Sequence, residues 1–279
     1  MHDSLRQTPA SKPATTPAPG TELAVQVTDA SVIFTAGDKP VHALKNVSLD
    51  IAAGEFVSFI GPSGCGKTTL MRVIADLEQV TSGHVLVNGM SAAQARQNGA
   101  YGYVFQAPAL YPWRTVLKNV TLPLEIKGMG AAERKEVAMR QLANVGLAGF
   151  EGKFPWQLSG GMQQRVSIAR ALGFEPQILM MDEPFGALDE ITRDRLNEQL
   201  LQLWAKERRT VIFVTHSIPE AAFLSSKIVV MSARPGRVVE VIESNLPADR
   251  TLDIRETAEF VDIAHRIRQA LRQGDSYHD

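Results

Sequence analysis

The alternation of hydrophobic and polar positions divides the chain into segments of different kinds. Residues 1–22 are rich in Pro, Thr, Ala and Ser and almost lack large apolar side chains, which predicts a disordered tail. Short alternating runs at 23–27, 31–34 and 47–51 predict an antiparallel layer of strands. Beyond them, apolar runs of strand length alternate with segments of helical period. This order predicts an α/β fold with a mostly parallel core sheet.

The same pattern predicts the individual elements of this core. Strands are predicted at 55–60, 84–87, 101–105, 177–181, 211–215 and 227–231, and helices at 70–77, 191–206 and 219–224. Helical period dominates residues from about 107 to 172, which predicts a helical subdomain that includes helices over 131–145 and 160–172. The segment 258–271 places its apolar residues on one helical face and therefore predicts a packed C-terminal helix.

A glycine-rich segment at residues 61–69 carries the strongest chemical signal. It fits the pattern G-x-x-x-x-G-K-[ST] and lies between a predicted strand and a predicted helix, as a phosphate-binding loop does. The glycines let backbone N–H groups turn toward an anion, Lys67 supplies charge for terminal phosphates, and the Thr68 hydroxyl is placed to ligate Mg²⁺. A glycine-rich turn without function is disfavoured by this context. The predicted binding residues are Gly61, Pro62, Ser63, Gly64, Cys65, Gly66, Lys67, Thr68 and Thr69.

Composition limits the classes of partner and location. With 44% hydrophobic and 21% charged residues among 279, the chain has the composition of a soluble globular protein. The net charge of −1 predicts no nucleic-acid partner. The sequence has no secretory pattern and no apolar run of the roughly 18 residues that span a membrane, and its single cysteine, Cys65, cannot form an internal disulfide. These features predict a cytoplasmic chain.

An acidic pair follows one of the apolar strand segments. The run 178–181 delivers Asp182 to the carboxyl end of a predicted strand, where it can hold Mg²⁺ through water. Glu183 follows directly and is placed to polarise an attacking water. An acidic pair at a strand end is often only a helix cap. Its coupling to the phosphate loop favours catalysis instead, although the loop alone leaves kinases, GTPases, motor ATPases and transporter ATPases open.

A second anion-binding cap is predicted at the start of the helix over 160–172. The Ser159 hydroxyl and the N–H groups of Gly160 and Gly161 form this cap, and Gln163 lies in the same motif. One nucleotide does not need two such caps from a single chain. We therefore predict that ATP is sandwiched between the phosphate loop of one subunit and the Ser159 cap of another.

The motif Leu-Ser-Gly-Gly-x-Gln, upstream of the acidic pair, resembles that of the ATP-binding cassette (ABC) transporter ATPases. The resemblance covers about residues 23–245 and leaves 246–279 as a C-terminal extension with one helix. It implies a P-loop ABC cassette, in which the parallel core sheet is joined by an antiparallel β layer and an α-helical subdomain. It also implies hydrolysis of ATP with Mg²⁺, with Glu183, His216 and Lys67 in catalytic roles.

The resemblance implies roles for four further positions. Gln106 corresponds to a glutamine that contacts Mg²⁺ and water, and Asp189 to the loop through which two cassettes communicate. His216 corresponds to a histidine that contacts the γ-phosphate, and Phe34 to an aromatic residue under the adenine. Each position has a structural alternative: a polar strand end for Gln106, a helix N-cap for Asp189, a core histidine for His216 and plain core for Phe34.

Three further stretches resemble the importer branch that serves nitrate, sulfonate and taurine. They are residues 109–120, 181–193 and 234–237. This branch implies a separate transmembrane permease, a second cassette that is most simply an identical chain, and a periplasmic or extracellular solute-binding protein. It also implies a peripheral location on the cytoplasmic face of the cell membrane. The solute itself is not encoded, because the ATPase does not contact it.

Two other classes of protein share parts of this pattern. A soluble ABC-type ATPase that acts on ribosomes or DNA is disfavoured by the single set of motifs and by the lack of sustained heptads between them. A nucleotide kinase or GTPase is disfavoured because no Asn-Lys-x-Asp motif is present and because neither class explains residues 158–163.

Overall fold

The computed structural model of the chain describes residues 22–35 and 39–275. The predicted disordered tail over 1–22 lies outside these residues, apart from residue 22. The strands of the described part are β1 (Leu23–Phe34), β2 (Val41–Ala52), β3 (Phe56–Ile60), β4 (Ser82–Val87), β5 (Met90–Ser91), β6 (Tyr101–Val104), β7 (Ile178–Asp182), β8 (Thr210–Thr215), β9 (Lys227–Met231) and β10 (Val238–Glu243). Its α-helices are α1 (Lys67–Ile74), α2 (Ala92–Gln97), α3 (Val116–Ile126), α4 (Ala131–Asn144), α5 (Gly160–Leu172), α6 (Glu190–Glu207), α7 (Ile218–Leu224) and α8 (Ala258–Asp275).

An antiparallel sheet forms the first layer, in the strand order β2-β1-β4-β5. The prediction of two strands at 23–27 and 31–34 is wrong, because β1 continues through both. Shifts of register on either side of Ala30 and a positive φ of 47° at Asp29 absorb the interruption that the sequence pattern suggested. Strand β2 likewise begins at Val41, six residues before the predicted start at Val47. A two-residue turn at Asn88 and Gly89 joins β4 to β5.

The second sheet has the strand order β10-β9-β3-β8-β7-β6, and all neighbouring pairs except β10 with β9 are parallel. Strands β3, β8 and β9 are buried at every residue, which explains why they appear in the sequence as continuous apolar runs. Burying one large apolar side chain of such a strand contributes about 1.5–3 kcal/mol to the free energy of folding. Strand β10 and helix α2 were not predicted.

The order of the central strands determines where chemistry can occur. Strand β8 pairs with β3 on one side and with β7 on the other, so the carboxyl ends of the three strands lie at one edge. The phosphate loop follows β3, Asp182 and Glu183 lie at the end of β7, and His216 follows β8. Ligands of open parallel sheets bind at this edge.

Helices α3, α4 and α5 pack against one another in the region predicted to be helical. The buried face of this group includes Val120, Leu142 and Val166. At the other end of the chain, Ile267 and Ala270 of α8 are fully buried in the same apolar cluster as Phe56 of β3. No helix in the described ranges is long and apolar enough to cross a bilayer.

Candidate nucleotide-binding site

The phosphate loop joins β3 to α1, and its backbone admits only glycine at some positions. Gly64 and Gly66 have φ values of 75° and 99°. A Cβ atom on Gly66 would lie 2.8 Å from the Ala43 carbonyl oxygen, so β2 approaches the loop closely there. Helix α1 begins at Lys67, three residues before the predicted start at residue 70. The first N–H groups of this helix therefore belong to the loop, where they lack helical partners and are suited to binding an anion.

The Lys67 ammonium group lies against the loop itself. Lys67 is 4% exposed, and its Nζ atom donates to the carbonyl oxygens of Gly61 (2.8 Å) and Pro62 (2.9 Å). Cys65 is buried under the same loop, and this burial raises the pKa of its thiol. A raised pKa disfavours the reactive thiolate, so Cys65 is suited to packing and not to nucleophilic chemistry.

A hydroxyl and a carboxylate meet where the loop faces β7. The Thr68 Oγ1 atom donates to Asp182 Oδ1 at 2.9 Å. Burial raises the pKa of the Asp182 carboxyl, and the hydrogen bond from Thr68 opposes that shift. These hard oxygen atoms are ligands that suit Mg²⁺. The described residues contain no cluster of three or more His, Cys, Asp or Glu side chains for a metal, so this site fits Mg²⁺ only when phosphate oxygens complete the ligand set.

Glu183 and His216 face each other across the ends of β7 and β8. The Glu183 Oε2 atom lies 3.4 Å from His216 Nδ1. The Glu183 backbone has a positive φ of 44°, a conformation that costs about 1–3 kcal/mol and is often found at functional sites. Its N–H group donates to the Val214 carbonyl oxygen at 3.0 Å, which fixes the residue to β8. The His216 side chain is 56% exposed, so it is not a core histidine.

A cleft of about 240 Å³ lies beside these groups; Lys67, Thr68 and Glu183 line it, whereas Asp182 and His216 lie outside its lining. Phe34 of β1 lines it, and its partial burial against the core agrees with both interpretations of that residue. The full lining consists of Phe34, Val41, Ala43, Ser63, Gly64, Gly66, Lys67, Thr68, Thr69, Glu183 and Arg234. Sequence reasoning missed Val41, Ala43 and Arg234. Arg234 follows β9, which pairs with β3, and the sequence alone does not give this strand order.

The segment after β9 ties the phosphate loop to β2. The Gly236 N–H donates to the Ala43 carbonyl oxygen at 2.9 Å, and the Lys45 N–H donates to the Gly236 carbonyl oxygen at 3.0 Å. A Cβ atom on Gly236 would lie 2.0 Å from the carbonyl oxygen of Cys65. Gly236 therefore allows a backbone approach that no other residue permits.

Gly236→Ala is expected to lower the free energy of unfolding by about 1–3 kcal/mol, because the new methyl group must displace loop backbone rather than a flexible side chain. Denaturant unfolding of the full chain measures this change. Gly152→Ala is the matched control, since its added Cβ atom meets nothing within 4 Å. Equal stability of the two variants would contradict the close approach.

The residues of the second predicted cap do not reach this cleft in the same chain. Ser159 is the N-cap of α5 and accepts from the Met162 N–H at 3.3 Å. Ser159 and Gly160 are exposed, and neither they nor Gly161 lines the cleft. The Gln163 Nε2 atom donates to the carbonyl oxygens of Pro155 and Leu158. The N-terminus of α5 thus lies apart from the cleft at the N-terminus of α1 within one chain.

Gln106 and Asp189 also lie outside the residues that line the cleft. Gln106 is exposed just beyond the end of β6. Asp189 is the N-cap of α6 and accepts from the Thr192 N–H at 2.9 Å, which lowers the pKa of its carboxyl. Within one chain, the contacts of Asp189 are therefore those of a helix N-cap, which was the structural alternative for this residue.

Comparison with known proteins places the chain among well-defined relatives. A family model described as ABC transporter matches residues 44–186. An uncharacterized ABC transporter ATP-binding protein of Methanocaldococcus jannaschii is 48% identical over 254 residues, which cover 90% of this chain and 92% of that protein. The taurine import ATP-binding protein TauB of Rhizobium johnstonii is 43% identical over 253 residues, which cover 88% of this chain and 96% of that protein.

A solved structure shares the fold. The dimeric structure of a bacterial ABC transporter cassette superposes with a TM-score of 0.70 at 36% sequence identity. The match covers 78% of this chain and 98% of the solved one. The predicted cassette, with its parallel core sheet and antiparallel layer, is thereby confirmed.

Proposed function

The chain is an ATPase of the ABC transporter family, and from that premise we propose that it is the ATP-hydrolysing subunit of an importer. The observation that carries the proposal is the convergence of a phosphate loop, Asp182, Glu183 and His216 at one sheet edge. Together these groups supply what ATP hydrolysis needs: phosphate binding, oxygen ligands for a cation, and a carboxylate for water.

We propose the following roles around bound ATP. The loop N–H groups and Lys67 bind the β- and γ-phosphates, and Phe34 stacks on the adenine. Thr68, Asp182 and Gln106 would hold Mg²⁺, which neutralises phosphate charge when bound.

The catalytic roles fall to the pair at the ends of β7 and β8. Glu183 orients the attacking water and accepts its proton. His216 contacts the γ-phosphate from the neighbouring strand end. Because its Nδ1 atom lies 3.4 Å from Glu183 Oε2, both side chains can act on the same phosphate.

We further propose that two identical chains share each nucleotide. The Ser159 cap is exposed and lies away from its own chain's cleft, so it is available to the cleft of a second chain. There Ser159, Gly160, Gly161 and Gln163 would meet the γ-phosphate, and Asp189 would lie near the contact between chains. The dimeric state of the solved relative supports this arrangement.

The import partners follow from the same proposal. We place the chain at the cytoplasmic face of the cell membrane, bound to transmembrane permease subunits that receive solute from a separate solute-binding protein. The solute class is that of nitrate, sulfonates and taurine, which the taurine-import relative supports. Residues 23–245 would form the ATPase domain, with the helical subdomain at about 107–172 and an extension over 246–279.

Purification of the tagged full chain from gently solubilised membranes tests this function. We expect mass spectrometry to find a polytopic permease with it, and we expect the preparation to hydrolyse ATP. Lys67→Ala is the control: it should retain the permease but lose ATP hydrolysis by about 10²-fold or more, because the phosphates lose their main protein charge. Recovery with ribosomes or DNA and no membrane protein would contradict the importer proposal.

A further inference from the structure

We propose that Arg234 is a nucleotide-binding residue whose guanidinium group donates to the polyphosphate of the nucleotide in the cleft. This inference rests on the proposed function, because it assumes that the cleft binds ATP and ADP. It adds a second cationic side chain to the lining, where sequence motifs supply only Lys67.

The position of the guanidinium group is the first support. Arg234 lines the cleft together with Ser63 and Gly64, and its Nε and Nη2 atoms donate to the Gly64 carbonyl oxygen at 3.4 and 3.3 Å. Both contacts use one edge of the planar group. In the part of the chain that the structure describes, Nη1 has no hydrogen-bond acceptor, so the opposite edge retains donors for a ligand.

The backbone around Arg234 is the second support, because it holds the main chain of this exposed residue beside the phosphate loop before any ligand binds. Arg234 lies in the turn between β9 and β10, which is closed by the Ser232 N–H donating to the Arg237 carbonyl oxygen at 2.9 Å. Two residues after Arg234, Gly236 is hydrogen-bonded to β2 on both its N–H and its carbonyl. A backbone fixed in this way does not have to be ordered when the ligand binds, which reduces the entropic cost of binding.

The chemistry of the cleft identifies the ligand group. Phe34, Val41 and Ala43 supply the apolar part of the lining, which suits a base. Arg234 instead contacts the loop whose N–H groups receive phosphate. A guanidinium group matches two phosphate oxygens with parallel donors, which an ammonium group cannot do. The polyphosphate is therefore the part of the nucleotide that Arg234 recognises.

Calorimetric titration of the full chain with ADP and with AMP tests this assignment. We expect Arg234→Ala to weaken ADP binding by about 10-fold or more, the effect of one charge-assisted hydrogen bond, and to change AMP binding by less than twofold. Arg234→Lys should recover only part of the loss. Arg237→Ala is the matched control, because it removes the same charge three residues away, where the side chain does not line the cleft.

Three results would overturn the assignment or the premise under it. If the unmodified chain binds ADP and Arg234→Ala binds it with an affinity within twofold, the role of Arg234 is refuted while the proposed function stands. Equal losses for ADP and AMP would refute recognition of the polyphosphate. If the unmodified chain bound neither ADP nor ATP, the proposed function would fail first. The melting temperature without nucleotide should be the same in Arg234→Ala and in the unmodified chain. This result would show that the loss of affinity comes from a lost ligand contact and not from a loop destabilised at the Gly64 carbonyl.

Discussion

Glu183→Gln is expected to lower ATP turnover by about 10²–10⁴-fold, the usual contribution of a positioned general base. Glutamine has the same shape but cannot accept a proton from water at neutral pH. The change leaves the backbone N–H bond to Val214 in place, so the side chain keeps its position beside His216. ATP binding should therefore survive while hydrolysis stops.

The same variant should accumulate as a dimer when ATP is added, because in the proposed arrangement two chains close on ATP and would reopen only after hydrolysis. Size-exclusion chromatography with ATP and with ADP measures this, alongside release of phosphate. Glu175→Gln is a matched control, since Glu175 also has a positive φ but forms an exposed ion pair with Arg140 and does not line the cleft. A rate within twofold of the unmodified chain would refute the role of Glu183.

The edge where these groups meet could be predicted from the sequence because burial on both faces of a parallel sheet produces an unmistakable pattern. Strands β3, β7 and β8 are short, largely apolar runs; β3 is followed at once by the glycine-rich loop, and β7 and β8 end at polar residues. Once such runs are assigned to one parallel sheet, their carboxyl ends must share an edge. Asp182, Glu183 and His216 are therefore found by counting to the end of each run.

The remaining lining of the cleft depends on features that hydrophobic patterning does not encode. Arg234 reaches the loop only because β9 pairs with β3, and strand order is set by the packing of the whole sheet. Val41 and Ala43 lie on a part of β2 whose start was predicted six residues too late. Close backbone approaches, such as that of Gly236 to Cys65, involve residues far apart in sequence and leave no local signal.

The proposed division of the site between two chains comes from the sequence by counting helix caps. The phosphate loop and the N-terminus of α5 each offer free N–H groups to an anion, and the structure keeps them apart within one chain. A fold that held both caps on one nucleotide would have brought Ser159 into the lining. The separation is the physical reason to test a site shared between subunits.

Ser159→Arg is expected to abolish ATP turnover while leaving ATP binding to the isolated chain within about twofold. The side chain does not line its own chain's cleft, so the phosphate loop should bind as before. In the dimer, however, the larger side chain would occupy the space of the cap that faces the partner's γ-phosphate. Ser91→Arg controls for the loss of a helix cap, which costs about 1 kcal/mol, because Ser91 is also an exposed N-cap serine.

Mixing two inactive variants turns this expectation into a direct test of the shared site. A Ser159→Arg chain keeps its phosphate loop, and a Lys67→Ala chain keeps its Ser159 cap. If each nucleotide lies between a loop and a partner's cap, the mixed dimer has one intact site and one site with both defects. ATP hydrolysis in the mixture should then exceed the sum of the two separate preparations. A mixture that stays as inactive as its parts, or a Ser159→Arg chain that no longer binds ATP, would instead assign loop and cap to one chain.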